Sequence, residues 1–194
     1  MTSPAHWTEV LEFWFGPPGS PEFGRNRSCW FTKSAEFDAT LRARFLATHE
    51  AAAAGALDVW AARPLSGLAL VVTLDQFPRN MFRGTPRAFA TDGEALEAAR
   101  SLVARRFDDC LLPVQRVFAY LPFEHAEDLG AQRESLRLYE RLAADPTCVS
   151  TLGYAMRHYA IVERFGRFPH RNAILGRAST PEEIEFLTGP GSSF

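Results

Sequence analysis

Apolar residues recur along this chain at helical rather than strand spacing. Trp7, Val10, Leu11 and Trp14 share one helical face, and Gly16-Pro17-Pro18 stops that run. A stretch rich in Gly, Pro, Arg and Asn follows to Arg27 as a loop. Ser34 is placed to cap a helix carrying Phe37, Leu41 and Phe45 on one face, with Gly55 as its stop. Residues 65–76 are ambiguous, because Leu68 to Leu74 would also serve as a buried strand. With no partner strand in view, they are read as a buried helix ending near Gln76, just ahead of Phe77-Pro78. Thr91 or Asp92 caps a helix to about Phe107, with Leu96 and Val103 seven residues apart. Pro113 opens a short helix to Tyr120, and Pro122 opens another. That second helix, 123–143, turns Leu129, Leu136, Tyr139 and Leu142 inward, and 150–165 form the next. Thr180-Pro181-Glu182-Glu183 combines a Thr cap, Pro at the first helical position and Glu at the third. The Gly/Ser/Pro-rich end, 188–194, is expected to fray. Helices joined by short loops, without alternating strands, predict an all-α class. The reading is one domain over 1–194 with its core at about 7–187.

Composition narrows the function classes. The formal charge is −2, which predicts no bulk attraction to nucleic acid or to an anionic membrane surface. Hydrophobic residues make up 46% and charged residues 23%, a globular balance. Cys29, Cys110 and Cys148 are widely spaced, odd in number and free of metal-site spacing, so reduced thiols in a cytoplasmic protein are expected. No signal peptide is visible, and the longest strongly apolar run is too short to span a bilayer. Lys33 is the only lysine, the other basic residues being arginine; this fits either anion recognition or an Arg-rich compositional bias.

Three stretches carry candidate chemistry. In Leu74-Asp75-Gln76-Phe77-Pro78-Arg79-Asn80, Asp75 ends an otherwise buried segment. A buried carboxylate needs a partner, with Arg79 and Arg83 nearest; the result is either a site or an internal clamp fixing the turn. In Pro122-Phe123-Glu124-His125-Ala126-Glu127-Asp128, the carboxylates would favour the positive end of a helix dipole, and His125 is a candidate general acid or base. Glu124 and His125 are about 100° apart on a helix and do not form a natural chelating pair. The third runs from His158 to Asn172, followed by Arg177. Tyr154, His158, Ile161 and Phe165 share a face, so His158 points inward as a core histidine or a functional one. Beyond Gly166, residues Arg167, His170, Arg171 and Asn172 form a loop that either holds an anion or pairs with Glu124, Glu127 or Glu163. Phe168-Pro169-His170-Arg171-Asn172 also echoes Phe77-Pro78-Arg79-Asn80. There is no GxGxxG, Walker loop, GxSxG or HExxH, and no paired Glu-x-x-His pattern of a di-iron bundle, so neither metal nor cofactor is expected.

Together these strings resemble a bacterial family catalogued as domain of unknown function 924. The resemblance rests on Val10-Leu11-Glu12-Phe13-Trp14-Phe15-Gly16, Trp30-Phe31, Leu74 to Asn80, Leu121 to His125 and Arg164 to Asn172. It continues through Leu175-Gly176-Arg177 and Ser179 to Glu183, spanning about 7–187. It departs at Ala126, where the family leads one to expect serine. The resemblance implies a fold similar to tetratricopeptide-like right-handed helical superhelices and brings no activity or catalytic set with it.

The functional expectation is a polar pocket for a small phosphate or carboxylate compound, in an enzyme or a sensor. Asp75, Glu124, His125 and His158 would form its inner set, with a histidine for proton transfer. Arg79, Asn80, Arg164, Arg167, His170, Arg171 and Asn172 would hold the anion. The alternative is a helical groove that binds a peptide or protein partner without catalysis. A third outcome is an internal ion-pair lattice with function elsewhere.

Overall fold

The computed structural model describes residues 3–192, and among them every regular element is helical. The eight α-helices are α1 (Trp7–Phe15), α2 (Ala35–Ala53), α3 (Pro64–Met81), α4 (Asp92–Ala104), α5 (Pro113–His125), α6 (Leu129–Glu140), α7 (Thr151–Phe165) and α8 (Pro181–Leu187). Short 3-10 turns link several of them, including Pro169–Arg171 after α7.

Helix α3 is the central column. Every residue from Ser66 to Pro78 is buried, and α1, α2, α4 and α5 pack around it. That surround explains why its pattern showed no polar face and read equally as strand. An aromatic cluster closes one side, where Trp14 and Trp30 meet the edge of Phe118 and Trp14 also reaches Phe77. Sequence neighbours pack on each other through the rest of the chain, α5 on α6 and α6 on α7. A smaller apolar group of Ile161, Val162 and Phe168, with Phe165 and Phe186, joins the C-terminal segment to the body.

Several caps stand where the sequence placed them. The Ser34 side chain accepts from Phe37 N, and Thr180 and Glu183 exchange reciprocal bonds at the start of α8. Gly16 ends α1 as expected, and Gly166, not foreseen as a stop, ends α7 at φ +70°, in the left-handed conformation that suits glycine.

Helix α4 stops at Ala104 and α6 at Glu140, each about one turn short of expectation, and two boundaries near prolines differ more. Helix α3 runs past Gln76 to Met81 with Pro78 inside it. Proline lacks the N–H that would bond Leu74 O, and the Thr91 hydroxyl donates there instead at 2.6 Å. Thr91 is thereby drawn away from capping α4. Pro122 does not open a helix but lies inside α5, which continues to His125. The chain breaks at Ala126, and Asp128 caps α6 by accepting from Ala131 N at 2.7 Å. Gln132, fully buried, closes the exposed end of α5 by donating to Glu124 O and Ala126 O. Glu124 and His125 therefore occupy a last helical turn, so the proposed dipole explanation for Glu124 does not hold. Tyr154 is not on the inward face with His158; it is about half exposed, beneath the Arg157 guanidinium. Of the tail expected to fray, 188–192 form turns, and 193 and 194 lie outside the described residues.

Candidate functional site

Where α3, α4, α5 and α7 meet, the fold brings together residues that are far apart in sequence. Asp75 is fully buried on α3. His125, at the end of α5, donates from Nδ1 to Asp75 Oδ1 at 2.8 Å, and Gln76 Nε2 donates to Asp75 Oδ2 at 2.5 Å. Arg79, one turn along α3, stands 3.3 Å from Asp75 Oδ1. Burial alone would raise the Asp75 pKa, but Arg79, His125 and Gln76 outweigh it and hold the carboxyl well below the usual carboxylate range. Burial and the neighbouring Arg79 charge lower the His125 pKa despite Asp75. Asp75 is therefore a carboxylate and His125 a neutral ring with its proton on Nδ1, which leaves a basic lone pair on Nε2. The His125 side chain retains 15% exposure, so this dyad is not sealed from solvent.

A second unit lies behind it. His158 Nδ1 is 3.0 Å from Glu124 Oε1 and 2.9 Å from Tyr154 O, and its ring centre is 6.3 Å from that of His125. Burial pushes the Glu124 pKa up to about 8, with Asp75 adding to it, and pushes that of His158 down to about 3. The contact is thus a hydrogen bond between neutral groups and not an ion pair. The Tyr139 hydroxyl, bonded to Glu124, donates its own proton to Val117 O at 3.1 Å. The Tyr139 bond by itself lowers the Glu124 pKa, and burial outweighs it.

The arginines converge on Asp92, the first residue of α4. Arg79 binds it with both nitrogens, at 2.8 and 3.1 Å, and Arg171 binds it at 3.1 Å. Arg171 also donates to His125 O at 3.0 Å and lies between the Phe89 and Phe168 rings. The two matching Phe-Pro strings thus deliver one arginine each to a single carboxylate. His170 packs on Phe168, with its pKa lowered to about 4 by burial and by Arg171.

Other residues expected to hold an anion have different partners. Asn80 donates to Gln76 O and accepts from Arg83, bracing the end of α3. Arg164 pairs with Glu182 on the surface, and Arg167 grips Glu183 with two nitrogens. Asn172 bonds Ser179 and Glu183, while Arg177 grips Glu127. These arginines pair with Glu182, Glu183 and, as one of the expected partners, Glu127, rather than with Glu124 or Glu163. Asp92, Gln76 and Tyr139 were not singled out from sequence. Asp92 sits at a helix start and Tyr139 on an apolar face, both of which explain the residues without a site. The paired Phe-Pro strings were the one available signal for Asp92.

Two shallow cavities lie elsewhere. One of about 480 Å³ is lined by Arg100, Phe123, Gly130 and Arg137. The other, of about 410 Å³, is lined by Ser28, Cys29, Ser34 and Phe37. The polar cluster meets solvent at its rim, where the side chains of His125, Arg79 and Asp92 keep 15%, 18% and 21% exposure. Among the described residues, no group of three or more His, Cys, Asp or Glu side chains is arranged to hold a metal ion. Among the same residues, no helix is long and apolar enough to cross a membrane.

Fold and site together define an all-α protein with an ionisable cluster buried where its central helices converge. The chain belongs to the family described as bacterial protein of unknown function (DUF924), which it matches over residues 10–191. It is similar to the solved structure of a protein of unknown function from Agrobacterium tumefaciens, at 42% identity and a TM-score of 0.82, covering 93% of this chain and 96% of that one. No curated protein matches it.

Proposed function

We propose that the protein binds a small anionic molecule against the Arg79–Arg171 face of this cluster and transfers a proton to or from it through His125. The carrying observation is the 2.8 Å bond from His125 Nδ1 to a fully buried Asp75. A carboxylate on Nδ1 fixes the tautomer, orients the ring and stabilises the cation that forms when Nε2 takes a proton. Nearby Glu124 is pushed toward the neutral acid while Asp75 is held as the anion. Carboxyl groups driven apart in this way are a recurring mark of acid–base sites.

The test is a thermal-shift screen of phosphate and carboxylate compounds, followed by turnover assays on the compounds that bind. A binding compound should lose its shift with Arg171→Gln, and His125→Gln should cut any turnover by about 10²–10⁴-fold. Failure of every compound to shift the melting temperature, or a shift unchanged by both substitutions, overturns the reading.

A further inference from the structure

Asp92 occupies its place in an unusual way. It receives three charge-assisted bonds from two arginines, yet its side chain remains 21% exposed, and it belongs to the first turn of a thirteen-residue helix. The N–H groups of that turn have no partner within the helix, and the Thr91 side chain, bonded to Leu74 O, does not cap them. Gly93, the next residue, is exposed, and a Cβ there would meet nothing within 4 Å. Arg171 supplies an independent sign of an incomplete site. Its side chain is only 7% exposed, and its Nε is buried without a hydrogen-bond partner. The guanidinium thus keeps one donor in reserve beyond its bonds to Asp92 and His125 O.

We propose that Arg79, Arg171 and the first turn of α4 form a subsite for the carboxylate group of a small-molecule ligand, and that Asp92 fills it as an internal surrogate which the ligand displaces. This deepens the function proposed above and rests on it, naming the chemistry of the anion. Arg79 touches both Asp92 and Asp75, and Arg171 bonds His125 O, so a carboxylate seated here places the rest of its molecule beside the dyad. Charge selects carboxylate over phosphate. With His125 neutral, the two arginines balance Asp75 and Asp92. Once Asp92 leaves, one positive charge is uncovered, which a single carboxylate neutralises. A phosphate dianion would leave excess negative charge beside buried Asp75.

The subsite is tested by vacating it. Asp92→Ala should melt below the wild type in sodium chloride and regain about 2–6 °C in acetate, saturably, at matched ionic strength. The wild type, with Asp92 still competing, should shift less. Inorganic phosphate should act more weakly than acetate on the variant. Asp92→Ser, which also withdraws the carboxylate from between the arginines but leaves a small polar group at the helix start, repeats the measurement should the alanine variant fail to fold. No saturable acetate effect in a folded variant, an equal effect in the wild type, or a stronger effect of phosphate each overturns the proposal. The acetate response should survive adding His125→Gln to Asp92→Ala. Loss of the response there counts against a subsite independent of the dyad. If the dyad has no chemical role, turnover fails while acetate binding persists.

Discussion

Glu124 and His158 show what burial does to single groups. An unfolded chain releases the Glu124 proton near the ordinary carboxyl value, whereas the folded chain keeps it to about 8. From about pH 4.5 upward the folded state holds the extra proton, so this residue removes stability as pH rises toward 8. His158 works on the acid side. Its folded value of about 3 lies below the ordinary 6.5, so stability falls on acidification from about 6.5 as the unfolded chain takes up the proton first. Replacing Glu124 with Gln keeps an oxygen for the His158 N–H and removes the ionisation. Denaturation across pH should find E124Q close to the wild type at pH 4–5 and more stable at pH 8, by on the order of 2–4 kcal/mol. A variant less stable than the wild type at pH 8 would mean that Glu124 is a charged partner of His158. Sequence alone supplied the members Asp75, Glu124, His125 and His158, because ionisable groups within apolar runs stand out. It could not supply their protonation states, which depend on pairings 50 residues apart such as Asp75 with His125.

At the scale of elements, the all-α class and most caps were legible because caps and periodicity are local. The two most misplaced boundaries involve proline, and in each a distant side chain overrides the local signal. Pro78 is tolerated where the Thr91 hydroxyl serves Leu74 O. Beyond Pro122, the α5 end is closed by Gln132 on the next helix. No local pattern announces either donor. The Thr91 compensation has a measurable signature. Thr91→Val strips the hydroxyl that serves Leu74 O and should cost about 1–3 kcal/mol, the range for an unsatisfied buried carbonyl. Pro78→Ala returns the backbone donor. A double-mutant cycle by denaturation should therefore show Thr91→Val costing less in the Pro78→Ala background, with a coupling of about 0.5–2 kcal/mol. Strict additivity would show that Thr91 acts on something other than the proline gap.

Across the whole molecule, the arginine-rich loop expected to bind an anion divides into two roles, and its sequence could not separate them. Arg171 turns inward to the cluster, while Arg167 and Arg177 fasten the C-terminal segment to itself and to the body. Glu127 is the hinge of that attachment. It accepts two bonds from Arg177 and one from Phe168 N at 2.7 Å, just before the turn that carries Arg171. Its carboxyl is half-buried, and its pKa is lowered because Arg177 and the Phe168 amide outweigh the effect of burial. Removing it with Glu127→Ala leaves an Arg fork and a backbone donor unserved in a partly buried place, a loss of about 1–3 kcal/mol. The small apolar group of Ile161, Val162 and Phe168 should keep the segment attached but looser. Hydrogen exchange should accordingly quicken over 166–187, with little change in α1 to α3, because only the weaker unit opens. Arg171 belongs to the loosened segment, so ligand affinity at the cluster should fall with it. Arg164→Ala is the control. It breaks an exposed pair with Glu182 and should change stability by less than about 0.5 kcal/mol without altering exchange or binding. Equal behaviour of the two variants would show that the segment is held by its apolar contacts alone, with no part for Glu127 in presenting Arg171 to the site.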